Sequence, residues 1–74
     1  MKKKKQTIEK NTYWVVLIGT TDGDEVTETI KVRAVNPDLA ADEAYAESTE
    51  IETLEEAQIF SDAKLINKVH TVIY

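Results

Sequence analysis

The sequence predicts a small α+β domain: an antiparallel sheet in ββα order, then a short helix or strand, then a last strand, with one helix packed on one sheet face. Three stretches carry this reading. The apolar run Tyr13-Trp14-Val15-Val16-Leu17-Ile18 is followed by Gly19-Thr20-Thr21-Asp22-Gly23-Asp24 and then by an alternating segment, the pattern of a β-hairpin. Asn36-Pro37-Asp38 then opens an alanine-rich stretch with helical spacing. Finally, Leu65 to Tyr74 is β-branched and aromatic, which suits a strand.

In the second hairpin strand, Val26, Ile30, Val32 and Ala34 fall on one side and Thr27, Thr29, Lys31 and Arg33 on the other, so one face is buried. The first strand is apolar on both faces, as expected of a central strand or one with a partner. Two turns compete to set the register. A two-residue type I′ turn at Asp22-Gly23 puts Tyr13, Val15 and Leu17 beside Val26, Ile30 and Val32. A type I turn with Gly23 as a G1 bulge puts Trp14, Val16 and Ile18 there instead. The bulged form is preferred because it buries the tryptophan against the helix. In either register three large apolar side chains remain on the other face.

Asn36 suits the N-cap, Pro37 the first turn and Asp38 the positive end of the helix dipole, so a helix runs from Pro37 to about Ser48. Ala40, Ala41, Ala44 and Tyr45 form its apolar stripe, with Leu39 at the border, and the small alanines allow a close approach to the sheet. Thr53 and Glu56 resemble a capping box ahead of Leu54-Glu55-Glu56-Ala57-Gln58, which favours a short second helix to about Phe60 over a strand. The C-terminal strand is expected to pair with the first.

Residues 1–10 are polar and basic and are expected to form a disordered, solubilising tail, leaving 11–74 as the single folded domain. The formal charge of −5 is unevenly distributed. Residues 11–74 hold four basic side chains against thirteen acidic ones, and no Lys or Arg occurs from Ala34 to Ala63. That excludes a phosphate-tracking surface on the folded body, so direct nucleic-acid binding is not expected. The absence of cysteine removes thiolate chemistry, and no apolar run is long enough to span a bilayer. A soluble, cytoplasmic protein is expected, and the acidic polar face of the helix argues against a membrane-surface role.

Catalysis is hard to assemble from these residues. His70 is the sole histidine and reads as an ordinary strand residue, while Ser48 and Ser61 would each need it together with an orienting carboxylate. Asp22-Gly23-Asp24-Glu25 superficially matches part of a calcium loop but lacks the spaced ligand series, and a hairpin turn accounts for it. No nucleotide fingerprint is present, and neither a metal nor a cofactor is expected.

The function expected is therefore non-enzymatic: a small acidic binding or regulatory protein. Asp38, Asp42, Glu43, Glu47, Glu50, Glu52, Glu55 and Glu56 form a candidate protein-binding surface, presenting carboxylates where a nucleic acid presents phosphates to a basic, nucleic-acid-handling partner. Small acidic inhibitors encoded by phages and mobile elements act in this way as a class. The alternative is a structural homo-oligomer. In the preferred register its face carries Tyr13, Val15 and Leu17, and a homodimer is the simplest way to cover them.

Overall fold

The computed structural model describes residues 9–74. The tail expectation falls mainly on residues 1–8, which lie outside the described residues. Strand β1 (Asn11–Thr21) turns into β2 (Asp24–Ala34) through Asp22-Gly23. Both turn residues have positive φ, 54° for Asp22 and 84° for Gly23, and Thr21 pairs with Asp24. These are the marks of a type I′ turn, whose twist matches that of the strands it joins.

The expected bulge is therefore absent, and the faces are exchanged. Tyr13, Val15 and Leu17 point into the core opposite Val32, Ile30 and Glu28, while Trp14, Val16 and Ile18 lie on the outer face. Gly19 supplies the physical reason. It falls on the core side at the register shift with the third strand, where Ile51 and the first residues of that strand come so close that a Cβ would sit 2.2 Å from the Thr53 carbonyl oxygen. Only the Tyr13 to Gly19 face offers a residue without a side chain at that point.

Helix α1 (Pro37–Glu47) starts as its capping residues dictate. The Leu39 N–H donates to Asn36 Oδ1 at 2.9 Å, and the Ala40 N–H donates to the Asn36 carbonyl at 3.0 Å. Ala40, Ala41 and Ala44 are buried against the sheet, but Tyr45, expected in the same stripe, is 46% exposed. With Ala44 fully buried, Ala44→Leu is expected to lift the helix and cost about 1 to 3 kcal/mol in a urea titration.

Residues 53–60 form a strand, not the expected helix. Strand β3 (Thr53–Phe60) pairs antiparallel with β1, placing Ile59 beside Val15 and Ala57 beside Leu17, with a register shift between Ile18 and Gly19. Helix propensity favours Leu54 to Gln58 by only tenths of a kcal/mol per residue. Pairing satisfies the open edge of an apolar strand, buries Ala57 and Ile59 and partly buries Leu54, which outweighs it. Strand β4 (Lys68–Ile73) consequently pairs with β3 and not with β1. The sheet order is β2-β1-β3-β4. Because β2 and β3 both run antiparallel to β1 they are parallel to each other, and α1 carries the chain back across one face between them.

Candidate interaction surfaces

The strand directions sort the charges. One end of the sheet gathers the hairpin turn, the C-terminus of α1, the start of β3 and the end of β4. The connection after α1 is fastened there by its backbone. Thr21 Oγ1 donates to the Glu50 carbonyl at 2.5 Å, and the Glu52 N–H donates to both Thr20 O and Thr21 Oγ1 at 3.1 Å. Glu28 adds an anchor from β2, accepting from the Ser48 hydroxyl at 2.8 Å. Glu50 and Glu52 are thus held by main-chain bonds, and both residues are exposed.

Of the acidic residues expected to act together, Glu47, Glu50, Glu52, Glu55 and Glu56 belong to this end. Asp38 stands at the opposite one, and Asp42 and Glu43 lie between them along α1. Asp22, Asp24 and Glu25, assigned from sequence only to a turn, join the acidic end because the hairpin brings them there. Their proximity to residues 50–56 becomes visible only once β3 is placed beside β1. All the basic residues of segment 9–74 lie towards the far end: Lys10, Lys31, Arg33, Lys64 and Lys68. Helix α1 strengthens the asymmetry, since its negative dipole end points to the acidic pole and its last turn carries no basic residue.

Asp38 has a different engagement: its Oδ1 lies 2.6 Å from His70 Nε2, tying the helix start to edge strand β4. This is the sole close contact between a basic and an acidic side chain among the described residues. Asp42 faces Tyr74 instead. Partial burial, then the negative charges of Asp42 and Asp38, then Tyr45, raise the Tyr74 hydroxyl above its ordinary range. A raised tyrosine favours the folded state while protonated, so this contribution is present below pH 10 and falls as pH rises beyond it.

Ser48, bonded to Glu28 just past the C-terminus of α1, and His70, bonded to Asp38 near its N-terminus, stand at opposite ends of the helix. Asp62 organises the β3–β4 connection, accepting from the N–H groups of Ile66 at 3.1 Å and Asn67 at 2.7 Å. Among the described residues no His and carboxylate groups converge as a metal site, and no helix is long and apolar enough to cross a membrane.

The outer apolar face is also built differently from its sequence expectation. Tyr13, Val15 and Leu17 cannot form it, because they are core residues with 8%, 0% and 0% exposure. Trp14, Val16 and Ile18 take their place and are partly exposed. The Lys31 ammonium sits 5.7 Å from the Trp14 ring centroid, and Phe60 flanks Trp14 on β3. The chain matches no protein-family model, no curated protein and no solved structure.

Proposed function

We propose that this protein is a small non-enzymatic binding module that docks its acidic pole onto a basic surface of another protein. The carrying observation is charge separation. The carboxylates of the hairpin turn and of residues 47–56 share one end of the sheet, while the cationic side chains of residues 9–74 lie towards the other. Unneutralised like charges on a rigid end create a directional field that steers association with an oppositely charged partner. A groove evolved to hold phosphates has the matching sign, so a nucleic-acid-handling protein is the partner class this pole fits. An inhibitor of the kind encoded by phages and mobile elements is the biological form this takes.

The test is capture of cellular proteins on the immobilised full chain at about 50 mM and about 500 mM salt, conditions that bracket strong and weak screening. A basic protein retained at low salt should be lost at high salt. The triple change Glu50→Lys, Glu52→Lys and Glu55→Lys is expected to abolish its retention by slowing association, whereas Asp38→Lys at the opposite end leaves most of it. Equal capture at both salts, or equal capture by the triple variant, counts against the proposal.

A further inference from the structure

The outer sheet face is a second surface, which shares Glu25 and Glu56 with the acidic pole. Helix α1 packs on the core side; on the other side Trp14, Val16 and Ile18 are partly exposed, whereas Phe60 beside Trp14 is already covered, with 8% exposure. The cross-strand register arranges this outer face in rows. Lys31, Trp14, Phe60 and Lys68 form one row; Thr29, Val16, Gln58 and Thr71 form the next; Thr27, Ile18, Glu56 and Ile73 form the third. Arg33 extends the first end along β2, and Glu25 extends the last. Trp14, Val16 and Ile18 make an apolar stripe along β1, with Ile73 left 71% exposed on the β4 edge, while Gln58 and Glu56 of β3 and the threonines of β2 and β4 make the surround polar; an apolar stripe within a polar surround is how protein interfaces are built.

We infer that this face binds a second copy of the same chain, about a two-fold axis that crosses the strands at the Val16 row. Charge selects both the occupant and the axis. The face is basic at the Trp14 end and acidic at the Ile18 end, with Arg33 and Glu25 each four residues from Thr29 on β2. A two-fold axis parallel to the strands would set Lys31 and Lys68 of one copy at the same level as those of the other, with like charges opposed. An axis across the strands reverses the rows instead. Trp14 then covers the partner's Ile18, Val16 meets its own counterpart, and Arg33 lies over the partner's Glu25. A face that carries both signs at equal distances from its centre is complementary to itself, which a patch built for a partner of one charge is not.

Its size sets the strength. At about 3.4 Å per residue and 4.8 Å per strand, the face measures roughly 27 by 19 Å. Two such faces bury on the order of 1,000 Å² in total, the lower limit for a specific interface. A dissociation constant on the order of tens of micromolar follows, because association entropy consumes most of the gain.

Sedimentation of the full chain from about 1 μM to about 1 mM, a span bracketing that constant, should show a monomer–dimer equilibrium. Tryptophan emission should shift to the blue as the dimer fills. Val16→Lys places two ammonium groups on the axis and is expected to weaken the dimer at least tenfold. Arg33 and Glu25 are exposed, so their reversal leaves the core intact. Arg33→Glu and Glu25→Arg should each weaken the dimer several-fold, and the double variant should restore it. A monomer at 1 mM, or a dimer indifferent to Val16→Lys, overturns the proposal. Single reversals without effect, or a double variant weaker than either single one, overturn the crossed arrangement.

Discussion

Gly19→Ala is expected to remove most of the protein's stability. A Cβ at this position would meet Thr53 O at 2.2 Å, Ile51 Cγ2 at 2.6 Å and Leu54 Cα at 3.1 Å. Two of these atoms are backbone, so no rotamer change relieves the clash. The start of β3 cannot simply slide away either, because the Glu52 N–H is bonded to Thr20 O and Thr21 Oγ1. Relief requires peeling the start of β3 from β1, which breaks the Gly19–Leu54 and Thr20–Thr53 pairing and withdraws Ile51 and Leu54 from the core. The cost is about 3 kcal/mol or more, judged from overpacking together with the lost burial. A domain this small holds roughly 3 to 5 kcal/mol of net stability, so the loss is close to the whole of it. The control is Gly23→Ala, where nothing lies within 4 Å of a built Cβ and only the positive φ is strained. That substitution should cost about 1 kcal/mol. Circular dichroism melts of the two variants check the ordering, and a Gly19→Ala protein that melts within a few degrees of the parent would refute the close approach.

The hairpin and α1 were legible because their signals are local. Asp-Gly with two positive φ values, and Asn36-Pro37-Asp38 at a helix start, act over a few residues and need no tertiary partner to be read. The register follows the position of Gly19 and not the size of Trp14, the side chain whose burial favours the bulged turn. Gly19 lies on the same side as Tyr13, Val15 and Leu17 by simple alternation, and an in-strand glycine is the mark of a close backbone approach. Residues 53–60 are illegible for the opposite reason: their local propensity is helical, and the force that makes them a strand is the unpaired edge of β1. The acidic window was legible as composition. Its grouping into a pole was not, since that depends on β3 lying beside β1 and on a hairpin that returns Asp22, Asp24 and Glu25 to the same end.

These two proposed surfaces also constrain each other. In a dimer about the crossed axis, the row reversal brings Arg33 and Lys68 of one copy towards the Glu25 and Glu56 end of the other. The outer side of each pole is then partly neutralised, while Glu47 and Glu50 near the α1 side stay clear of the interface. Dimerisation would therefore narrow the acidic surface to its α1 side without abolishing it, and the two interactions would be coupled with opposite sign.

Leu17→Ala is expected to cost about 3 to 5 kcal/mol, and Trp14→Ala only about 1 to 2 kcal/mol, although tryptophan is the larger side chain. Leu17 is fully buried on the central strand, between Glu28 of β2 and Ala57 of β3. Much of the core it joins is alanine: Ala40, Ala41 and Ala44 of α1, and Ala57 itself. Alanines have no spare side-chain length to swing into a vacated volume, so the cavity stays open and the full cavity term applies. Trp14 lies on the outer face, where its ring is only partly covered and its removal leaves an indentation that water fills. Its losses are the contact with Phe60, the Lys31 cation over the ring and some strand preference, each worth a fraction of a kcal/mol to about 1 kcal/mol. Urea titrations at micromolar protein measure the Trp14→Ala difference against the parent, and a Leu17→Ala protein with little or no folded baseline in the same titration shows the larger loss. The order matters more than the sizes, because a one-residue change of hairpin register would exchange the two faces. A larger loss for Trp14→Ala than for Leu17→Ala would place the tryptophan under α1 and rule out the type I′ turn at Asp22-Gly23.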